Sequence, residues 1–332
     1  MEEQLQRILQ VFGGLALFLY GTDTLCRAVQ QGAGKRLRSL LAHCTANPVA
    51  GLLTGAAVTA LLQSSSAVTV MVIAFLAAGL LQLRQAVPVV FGANIGTTVT
   101  AQLLAFRLES WRYLLLFGGV LLCLACKNWR GRCAGEAAFG FGLLFEGITV
   151  MRNALEPLLQ HPLFRQQLAR VLQSPWQGLA AGICMTLTVQ SSSATVALLQ
   201  SLAVQPGADG VHSVLGLAGA IPILLGDNIG TTITAVLASI GQSRDAKRVA
   251  AAHAIFNLSG AVVCCALLQP FTALVQWCSP TGAECTVLAR QIANAHTLFN
   301  GLCALVWLPL TGQMVRLVCV LLPDKNRPPE RL

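Results

Sequence analysis

Two short polar segments of identical sequence, Gln-Ser-Ser-Ser, lie within long stretches of the chain that carry no charge. Serine hydroxyls and glutamine amides are neutral hydrogen-bond donors, and a serine that caps a helix leaves further N–H groups exposed at the N-terminus of that helix. Such a helix end attracts negative charge. Two of these segments facing each other would cradle a small tetrahedral oxyanion without a buried arginine. The candidate anion-binding residues are Gln63, Ser64, Ser65 and Ser66 in the first segment and Gln190, Ser191, Ser192 and Ser193 in the second.

A second repeated motif, Gly-x-Asn-Ile-Gly-Thr-Thr, follows each serine segment, at Gly92–Thr98 and Gly226–Thr232. Amide oxygens, threonine hydroxyls and carbonyl groups freed near the glycines are hard oxygen ligands, which suit an alkali cation at a broken helix. A proline before each motif, Pro88 or Pro222, can loosen the helix and free carbonyl groups. A sodium ion at this place would offset the charge of a neighbouring anion. The sodium candidates are Asn94, Thr97, Thr98, Asn228, Thr231 and Thr232, together with Asp227.

Asp227 has no acidic counterpart, because Ala93 occupies the matching place in the first motif. An ionisable residue within a membrane segment is a functional candidate. Asp227 could hold a cation, carry a proton, or lie near the surface bonded to a neighbouring turn. Glu146 is a similar candidate. His253 and His296 each begin a His-x-x-Phe-Asn pattern, which puts His and Asn on one helix face and favours helix packing over a proton relay. No metal-binding set accompanies them.

The two motif pairs belong to a longer internal repeat. Prolines, glycines and polar residues between Pro48 and Ala67 recur 127 residues later, between Pro175 and Ala194. Those between Pro88 and Ala101 recur 134 residues later, and an insertion around residues 206–210 accounts for the change of offset. Matched polar clusters in two halves of an apolar chain are typical of transporters built from internal repeats, whose binding sites lie near the bilayer midplane.

The composition places the chain in a membrane. Of its 332 residues, 55% are hydrophobic and only 11% are charged, whereas soluble domains carry about 25% charged residues. The net charge of +9 comes from basic residues in the gaps between apolar stretches, which is typical of membrane-protein loops and argues against a nucleic-acid partner. Most of the twelve cysteines lie in apolar stretches, where cysteine packs as a small hydrophobic residue. The acidic start of the chain predicts no secretory signal peptide.

Gaps between charged residues define the expected helices. Each arm beside a serine segment has about 15 residues and a length of about 23 Å, which is short of the hydrocarbon core of about 30 Å. We therefore expect two re-entrant helical hairpins, at residues 48–82 and 175–204. The other expected segments are spans at Ile8–Leu25, Gln85–Phe106, Tyr113–Cys126, Ala137–Met151, Val214–Ile240, Val249–Leu268 and Val287–Leu310, and amphipathic helices at Arg27–Leu41 and Leu155–Leu172.

The expected fold is an all-α polytopic membrane protein with two inverted-topology repeats, each containing a re-entrant hairpin. The first repeat covers residues 1–130 and the second covers residues 131–275. An additional transmembrane helix and a short cytoplasmic tail occupy residues 276–332. Because each repeat makes three crossings, the second is inverted relative to the first. The uneven distribution of the 22 Lys and Arg residues places the C-terminus in the cytoplasm.

The paired serine segments and the paired Gly-x-Asn-Ile-Gly-Thr-Thr motifs resemble those of the sodium-dependent phosphate cotransporter family, the type II group and its bacterial relatives. The resemblance covers about residues 8–310. It implies inorganic phosphate as substrate and sodium as the coupling ion rather than a prosthetic group. It also implies that both serine segments line the phosphate and sodium sites, and that the bacterial inner membrane is the location. Asp227 departs from the smaller residue common in the family, which leaves the sodium stoichiometry open.

Many bacterial relatives carry a soluble regulatory domain after the membrane part, which this chain does not show. The resemblance therefore implies that any such control comes from a separate phosphate-regulatory protein. Membrane lipid and a second copy of the chain are the other candidate partners.

Other functions remain open at this point. The nearest alternatives are transport of another small oxyanion and proton-coupled transport of phosphate through Asp227. A membrane enzyme is not expected, because no serine has a His-Asp partner or a carboxylate cluster to activate it. A sensor or scaffold that transports nothing would not need two intact ion-type motifs.

Overall fold

Helices make up almost all of the regular secondary structure in the described part of the chain. The computed structural model describes residues 2–43, 47–106, 108–207 and 209–323. Besides α-helices, these residues contain a 3-10 turn at Leu108–Trp111 and an isolated β-bridge between Pro206 and Ser213. The helices are α1 (Glu2–His43), α2 (Pro48–Leu62), α3 (Ser65–Ala77), α4 (Leu83–Leu104), α5 (Arg112–Ala125), α6 (Trp129–Gln160), α7 (Pro162–Leu172), α8 (Pro175–Val189), α9 (Ser192–Ala203), α10 (Gly216–Gly230), α11 (Thr232–Ser239), α12 (Arg244–Ala266), α13 (Leu268–Trp277), α14 (Glu284–Trp307) and α15 (Thr311–Leu321). The all-α prediction is confirmed.

Several helices are long and apolar enough to cross a bilayer, which takes about 20 residues. Within the described residues, five such segments lie at Leu5–Val29, Leu83–Leu104, Trp129–Leu159, Gly216–Ser239 and Arg244–Ala266. A sixth candidate combines α14 and α15, which are bent by 84° relative to each other. The chain is therefore an integral membrane protein.

A short break divides each uncharged region into two helices. Asn47 caps α2 by accepting a hydrogen bond from the amide of Ala50 at 2.8 Å, and Pro48 occupies the first helical position, where a missing N–H costs nothing. The break after α2 ends at Ser65, and the break after α8 ends at Ser192. The first predicted arm agrees with α2, whereas α3 ends at Ala77, before the predicted limit of residue 82.

Glycines bring the first helix of each broken pair into backbone contact with the helix that carries the second motif. A Cβ atom added to Gly55 of α2 would lie 2.0 Å from the carbonyl oxygen of Val89 in α4, and one added to Gly92 would lie 1.9 Å from that of Leu52. The matched pair α8 and α10 repeats this crossing, with values of 1.9 Å at Gly182 and 2.0 Å at Gly226. Only glycine allows helix backbones to approach so closely, and the sequence repeat is therefore also a packing repeat.

Two helices are longer than predicted. Helix α1 runs without interruption through the predicted boundary between Leu25 and Arg27, and α6 runs through the boundary at Arg152. A charged residue marks where an apolar surface ends, but only a proline, a cap or a lost hydrogen bond ends a helix. Helix α6 continues past Pro157 and ends at Gln160, just before Pro162.

The end of the chain contains two helices that were not predicted, α13 and α15. Helix α12 ends at Ala266 and α13 begins at Leu268, so that the chain turns where the sequence shows only apolar residues. The motif-bearing helices also differ from each other, because α4 is continuous through its motif whereas the helix of the second repeat is interrupted at Thr231 and divides into α10 and α11.

Candidate functional site

The chain turns in the same way at the two glutamines that open the serine segments. Gln63 and Gln190 both have φ of 54°, and they are the only residues other than glycine with positive φ in the described part of the chain. This left-handed conformation costs roughly 1–2 kcal/mol per residue. The backbone amide of Gln63 donates to the carbonyl oxygen of Thr59 at 2.7 Å, and the backbone amide of Gln190 donates to that of Thr186 at the same distance. Backbone strain of this kind concentrates at functional sites.

The serine after each glutamine caps the next helix. The hydroxyl of Ser64 accepts from the amide of Ala67 at 3.2 Å, and the hydroxyl of Ser191 accepts from that of Ala194 at 3.3 Å. These caps satisfy one amide each and leave the earlier amides of the first turn without an intrahelical acceptor. Helices α3 and α9 therefore present N-terminal N–H groups and serine hydroxyls together, as the sequence predicts.

Both serine segments line one cavity of about 320 Å³. Gln63–Ser66 contributes from the first repeat and Gln190–Ser193 from the second, and Thr97 of the α4 motif lies at the same cavity. All eight predicted anion-binding residues are thus brought together, although they come from segments 127 positions apart. The walls are rich in neutral donors, which suit an oxyanion.

Helix α1 supplies a further part of the wall, through Leu19, Thr22, Asp23 and Cys26. These residues were not predicted as part of the site. A signal was present, because Asp23 is a carboxylate inside the first predicted span, and ionisable residues at such places are functional candidates. Asp23 forms an ion pair with Arg27, one turn further along the same helix.

The motif asparagines lie outside this cavity, each beside a histidine. The Oδ1 atom of Asn94 is 2.9 Å from Nε2 of His253 in α12. The Oδ1 atom of Asn228 is 3.3 Å from Nε2 of His296 in α14 and accepts a hydrogen bond from Asn300 at 3.2 Å. All of these side chains are buried. The His-x-x-Phe-Asn helices therefore pack against the motifs and fix the orientation of the asparagine side chains.

The motif threonines direct their hydroxyl protons at their own helices. Thr97 and Thr231 donate to carbonyl groups four residues earlier, at 3.1 and 2.9 Å, and Thr98 and Thr232 donate to carbonyl groups three residues earlier, at 2.8 and 2.7 Å. Each oxygen keeps lone pairs that could bind a cation. Of the four, Thr97 is at the cavity.

Asp227 lies in a buried polar cluster that the first repeat lacks. The hydroxyl of Thr186 donates to Oδ1 of Asp227 at 2.6 Å and lies 3.2 Å from the hydroxyl of Thr195. Asp227 is fully buried, and its Oδ2 atom has no hydrogen-bond partner among the described residues. A buried carboxylate with an unpaired oxygen calls for a cation or a proton. The interpretation that places Asp227 near the surface is therefore wrong.

Glu146 has a structural partner. Its carboxylate accepts a hydrogen bond from Nε of Arg112 at 2.8 Å, which joins α6 to the start of α5. Both side chains remain partly exposed. The eleven cysteines within the described residues are free thiols, and the same residues contain no group of three or more His, Cys, Asp or Glu side chains suited to a metal ion.

The two halves that carry this site both match the same family. A family model described as Na+/Pi-cotransporter matches residues 17–153 and, separately, residues 147–279. The chain belongs to the Na+/Pi-cotransporter family. Each match contains one serine segment and one Gly-x-Asn-Ile-Gly-Thr-Thr motif, as expected from the resemblance.

Individual members of the Na+/Pi-cotransporter family are similar to this chain over different lengths. The uncharacterised protein YqeW of Bacillus subtilis is 33% identical over 96% of this chain and 99% of its own length. The Escherichia coli protein named "Putative inorganic phosphate export protein YjbB" is 27% identical over 96% of this chain but only 56% of its own length. The rat sodium-dependent phosphate transport protein 2A is 38% identical over 130 residues, which are 38% of this chain and 20% of that protein. No solved structure matches.

Family membership supports phosphate transport. The Escherichia coli and rat relatives carry the names of transport proteins and not of enzymes, in agreement with the prediction from sequence. This chain spans about half the length of the Escherichia coli relative.

Proposed function

We propose that this chain is a secondary active transporter that moves inorganic phosphate across the membrane together with sodium, and that phosphate binds between the two serine segments. The observation that carries the proposal is the single cavity of about 320 Å³ that both segments line. Two helix N-termini and the hydroxyls of Ser65, Ser66, Ser192 and Ser193 would donate to the phosphate oxygens.

Sodium would bind through the oxygen-rich motifs near this cavity. Thr97 lies at the cavity and could share an ion with the bound anion. Asp227 with Thr186 and Thr195 offers a second set of oxygen atoms, and its unpaired carboxylate oxygen would gain a partner from the ion. The remaining candidates are Asn94, Thr98, Asn228, Thr231 and Thr232, and all of them lie in the two motifs.

The proposed mechanism is alternating access at the interface of two inverted repeats, residues 1–130 and 131–275. Helices α2 and α3 have 15 and 13 residues, or about 23 and 20 Å, and are too short to cross a core of about 30 Å. We place both broken pairs, α2–α3 and α8–α9, in the membrane as re-entrant hairpins. The bias of basic residues supports a cytoplasmic C-terminus, and the inner membrane of a bacterium is the proposed location.

Proton coupling is the second candidate. It rests on the buried Oδ2 atom of Asp227, which has no partner in the described structure and could carry a proton instead of contacting sodium. The choice between the two couplings decides which gradient drives transport.

The proposal is tested by uptake of radioactive phosphate into proteoliposomes, with a sodium gradient, a proton gradient or neither. Sodium-stimulated flux is the expected result, and flux that follows only the proton gradient would support the second candidate. Measuring phosphate efflux from preloaded vesicles under a reversed sodium gradient shows in which direction the protein transports phosphate.

The variant with Ser65→Ala and Ser192→Ala should lose at least about 90% of the flux, because each change removes a hydroxyl from the cavity; loss of one hydrogen bond to a charged group costs about 1.5–3 kcal/mol. Ser110→Ala, at an exposed position in the 3-10 turn before α5, is the control. Wild-type flux in the double variant would overturn the proposed anion site.

A further inference from the structure

Asp23 introduces a negative charge into a cavity that otherwise suits an anion. Among the described residues that line the cavity, Asp23 is the only one with a formal charge. Its side chain is 56% exposed, and it forms an ion pair with Arg27 through Oδ2. An unscreened carboxylate would repel an oxyanion, so its presence at this place needs a chemical reason.

The position of α1 is fixed by close packing. Gly21 lies against α6 so tightly that an added Cβ atom would be 2.6 Å from the carbonyl oxygen of Gly140. Helix α1 also contacts α2 and α9, one helix from each broken pair. Asp23 lies two residues after Gly21. Its position at the cavity is therefore fixed by the packing of α1 against α6 and by the contacts of α1 with α2 and α9.

The other polar groups of the cavity already use much of their capacity to accept hydrogen bonds. Oε1 of Gln63 accepts from Thr100 at 2.6 Å, and the hydroxyls of Ser64 and Ser191 accept from backbone amides. A carboxylate is different, because it only accepts and offers about four lone-pair sites. Arg27 occupies Oδ2 and leaves Oδ1 of Asp23 as an acceptor.

Tetrahedral oxyanions differ in whether they can donate to such an acceptor. At neutral pH, phosphate and arsenate carry one or two protons on their oxygens, whereas sulfate carries none. A site that hydrogen-bonds a substrate hydroxyl rejects an analogue that lacks it, by up to about 10⁴–10⁵-fold where the site is fully desolvated. Sulfate next to Asp23 would instead place two acceptor oxygens side by side with no proton between them.

We propose that the Asp23 carboxylate accepts a hydrogen bond from the hydroxyl of the bound anion and thereby selects protonated oxyanions over sulfate. The inference rests on the proposed phosphate site and adds the residue that determines its specificity. Arg27 positions the carboxylate and balances its charge.

The experiment is phosphate uptake into proteoliposomes with arsenate or sulfate as competitor, for the wild type, Asp23→Asn and Asp209→Asn. Asn is isosteric and its amide donates. In the wild type and in Asp209→Asn, whose change lies in an exposed loop, arsenate should compete and sulfate should not. In Asp23→Asn, the preference for phosphate over sulfate should fall at least about tenfold, the equivalent of about 1.4 kcal/mol. Binding of both anions to the detergent-solubilised variant provides a second readout that needs no transport.

The outcomes separate the two proposals. Absence of phosphate flux and of phosphate binding in the well-folded wild type would overturn the proposed function itself. If the wild type transports phosphate, then an unchanged preference in Asp23→Asn overturns only the role of Asp23. A change confined to the sodium dependence does the same, because it would make Asp23 a cation ligand. Loss of binding of both anions also contradicts a selectivity role.

Discussion

The two halves of the molecule share their backbone geometry but differ in one buried polar cluster. Both glutamines have φ of 54°, and both glycine crossings bring a Cβ position to about 2 Å from a carbonyl oxygen. In the second repeat Thr186, Asp227 and Thr195 form a hydrogen-bonded cluster. At the matching positions of the first repeat stand Thr59, Ala93 and Val68, and the hydroxyl oxygen of Thr59 is buried without a partner among the described residues.

The comparison separates two tasks. The serine segments, present in both repeats, each contribute four residues to the cavity wall, whereas Thr97 and α1 add residues from the first repeat alone. The Asp227 cluster is present only in the second repeat and lies outside the residues that line the cavity. We expect the two serine segments to hold the anion together, and Asp227 to influence the charge balance of transport from one half. The hydroxyls of Ser66 and Thr234, 3.1 Å apart, join the two halves directly.

Substitution of the crossing glycines should prevent folding to the same extent in both repeats. Gly92→Ala and Gly226→Ala each place a methyl group about 2 Å from a backbone oxygen, which no rotamer change can relieve. Both variants should give little or no monodisperse protein in size-exclusion chromatography. Gly13→Ala is the matched control, because nothing lies within 4 Å of its added Cβ atom. Normal yield of either variant would contradict the equivalence of the crossings.

The Asp227 cluster, which only the second repeat contains, should affect the coupling of phosphate transport to its ion. If Asp227 binds the coupling ion, Asp227→Ala should weaken the apparent affinity for that ion at least about tenfold, which corresponds to about 1.4 kcal/mol. The measurement is the dependence of phosphate flux on sodium concentration and on pH. A reciprocal variant with Ala93→Asp and Val68→Thr, made in the Asp227→Ala background, would rebuild the cluster in the first repeat. Unchanged ion dependence in Asp227→Ala would show that the asymmetry is structural only.

The smallest expected effect is on the free energy of unfolding, when Thr186 and Thr59, which occupy matching positions in the two repeats, are substituted. Thr186→Val removes the hydroxyl that donates to Oδ1 of Asp227 at 2.6 Å, beside an Oδ2 atom that already has no partner among the described residues. The free energy of unfolding should fall by about 1–3 kcal/mol. Thr59→Val removes a hydroxyl oxygen that has no partner and should be neutral or stabilising. Thermal unfolding in detergent compares the two, and equal destabilisation would contradict the contrast.

Local signals made much of the fold predictable. Pro48 and the cap at Asn47 define the start of α2, and the charge-free stretch with its Gln-Ser-Ser-Ser break predicts the second helix. The lengths of α1 and α6 were underestimated, since Arg27 and Arg152 end an apolar surface without ending the hydrogen-bonded backbone. Helix α13 was missed because no charged residue separates it from α12, although Pro270 in its first turn was a signal for a new helix start.

The parts of the site that belong to the sequence repeat could be predicted. The parts that depend on tertiary packing between distant helices could not. The repeat identified both serine segments and hence both sides of the cavity. The approach of α1 depends on glycine contacts with α6, and no spacing in the sequence links Asp23 to Ser65 or Ser192. The contact of His253 with Asn94 joins residues 159 positions apart, and the sequence identified only the pattern on each helix.

The glycine crossings also determine which parts can move during a transport cycle. Where two backbones touch without side chains between them, neither helix can slide past the other without first separating. Helices α2 and α4 should therefore travel as one solid piece, and α8 and α10 as another. We therefore expect access to the cavity to change by rocking of these two pieces against each other and against α1. A crosslink within either piece should leave transport intact, whereas one that ties α1 to α9 should stop it.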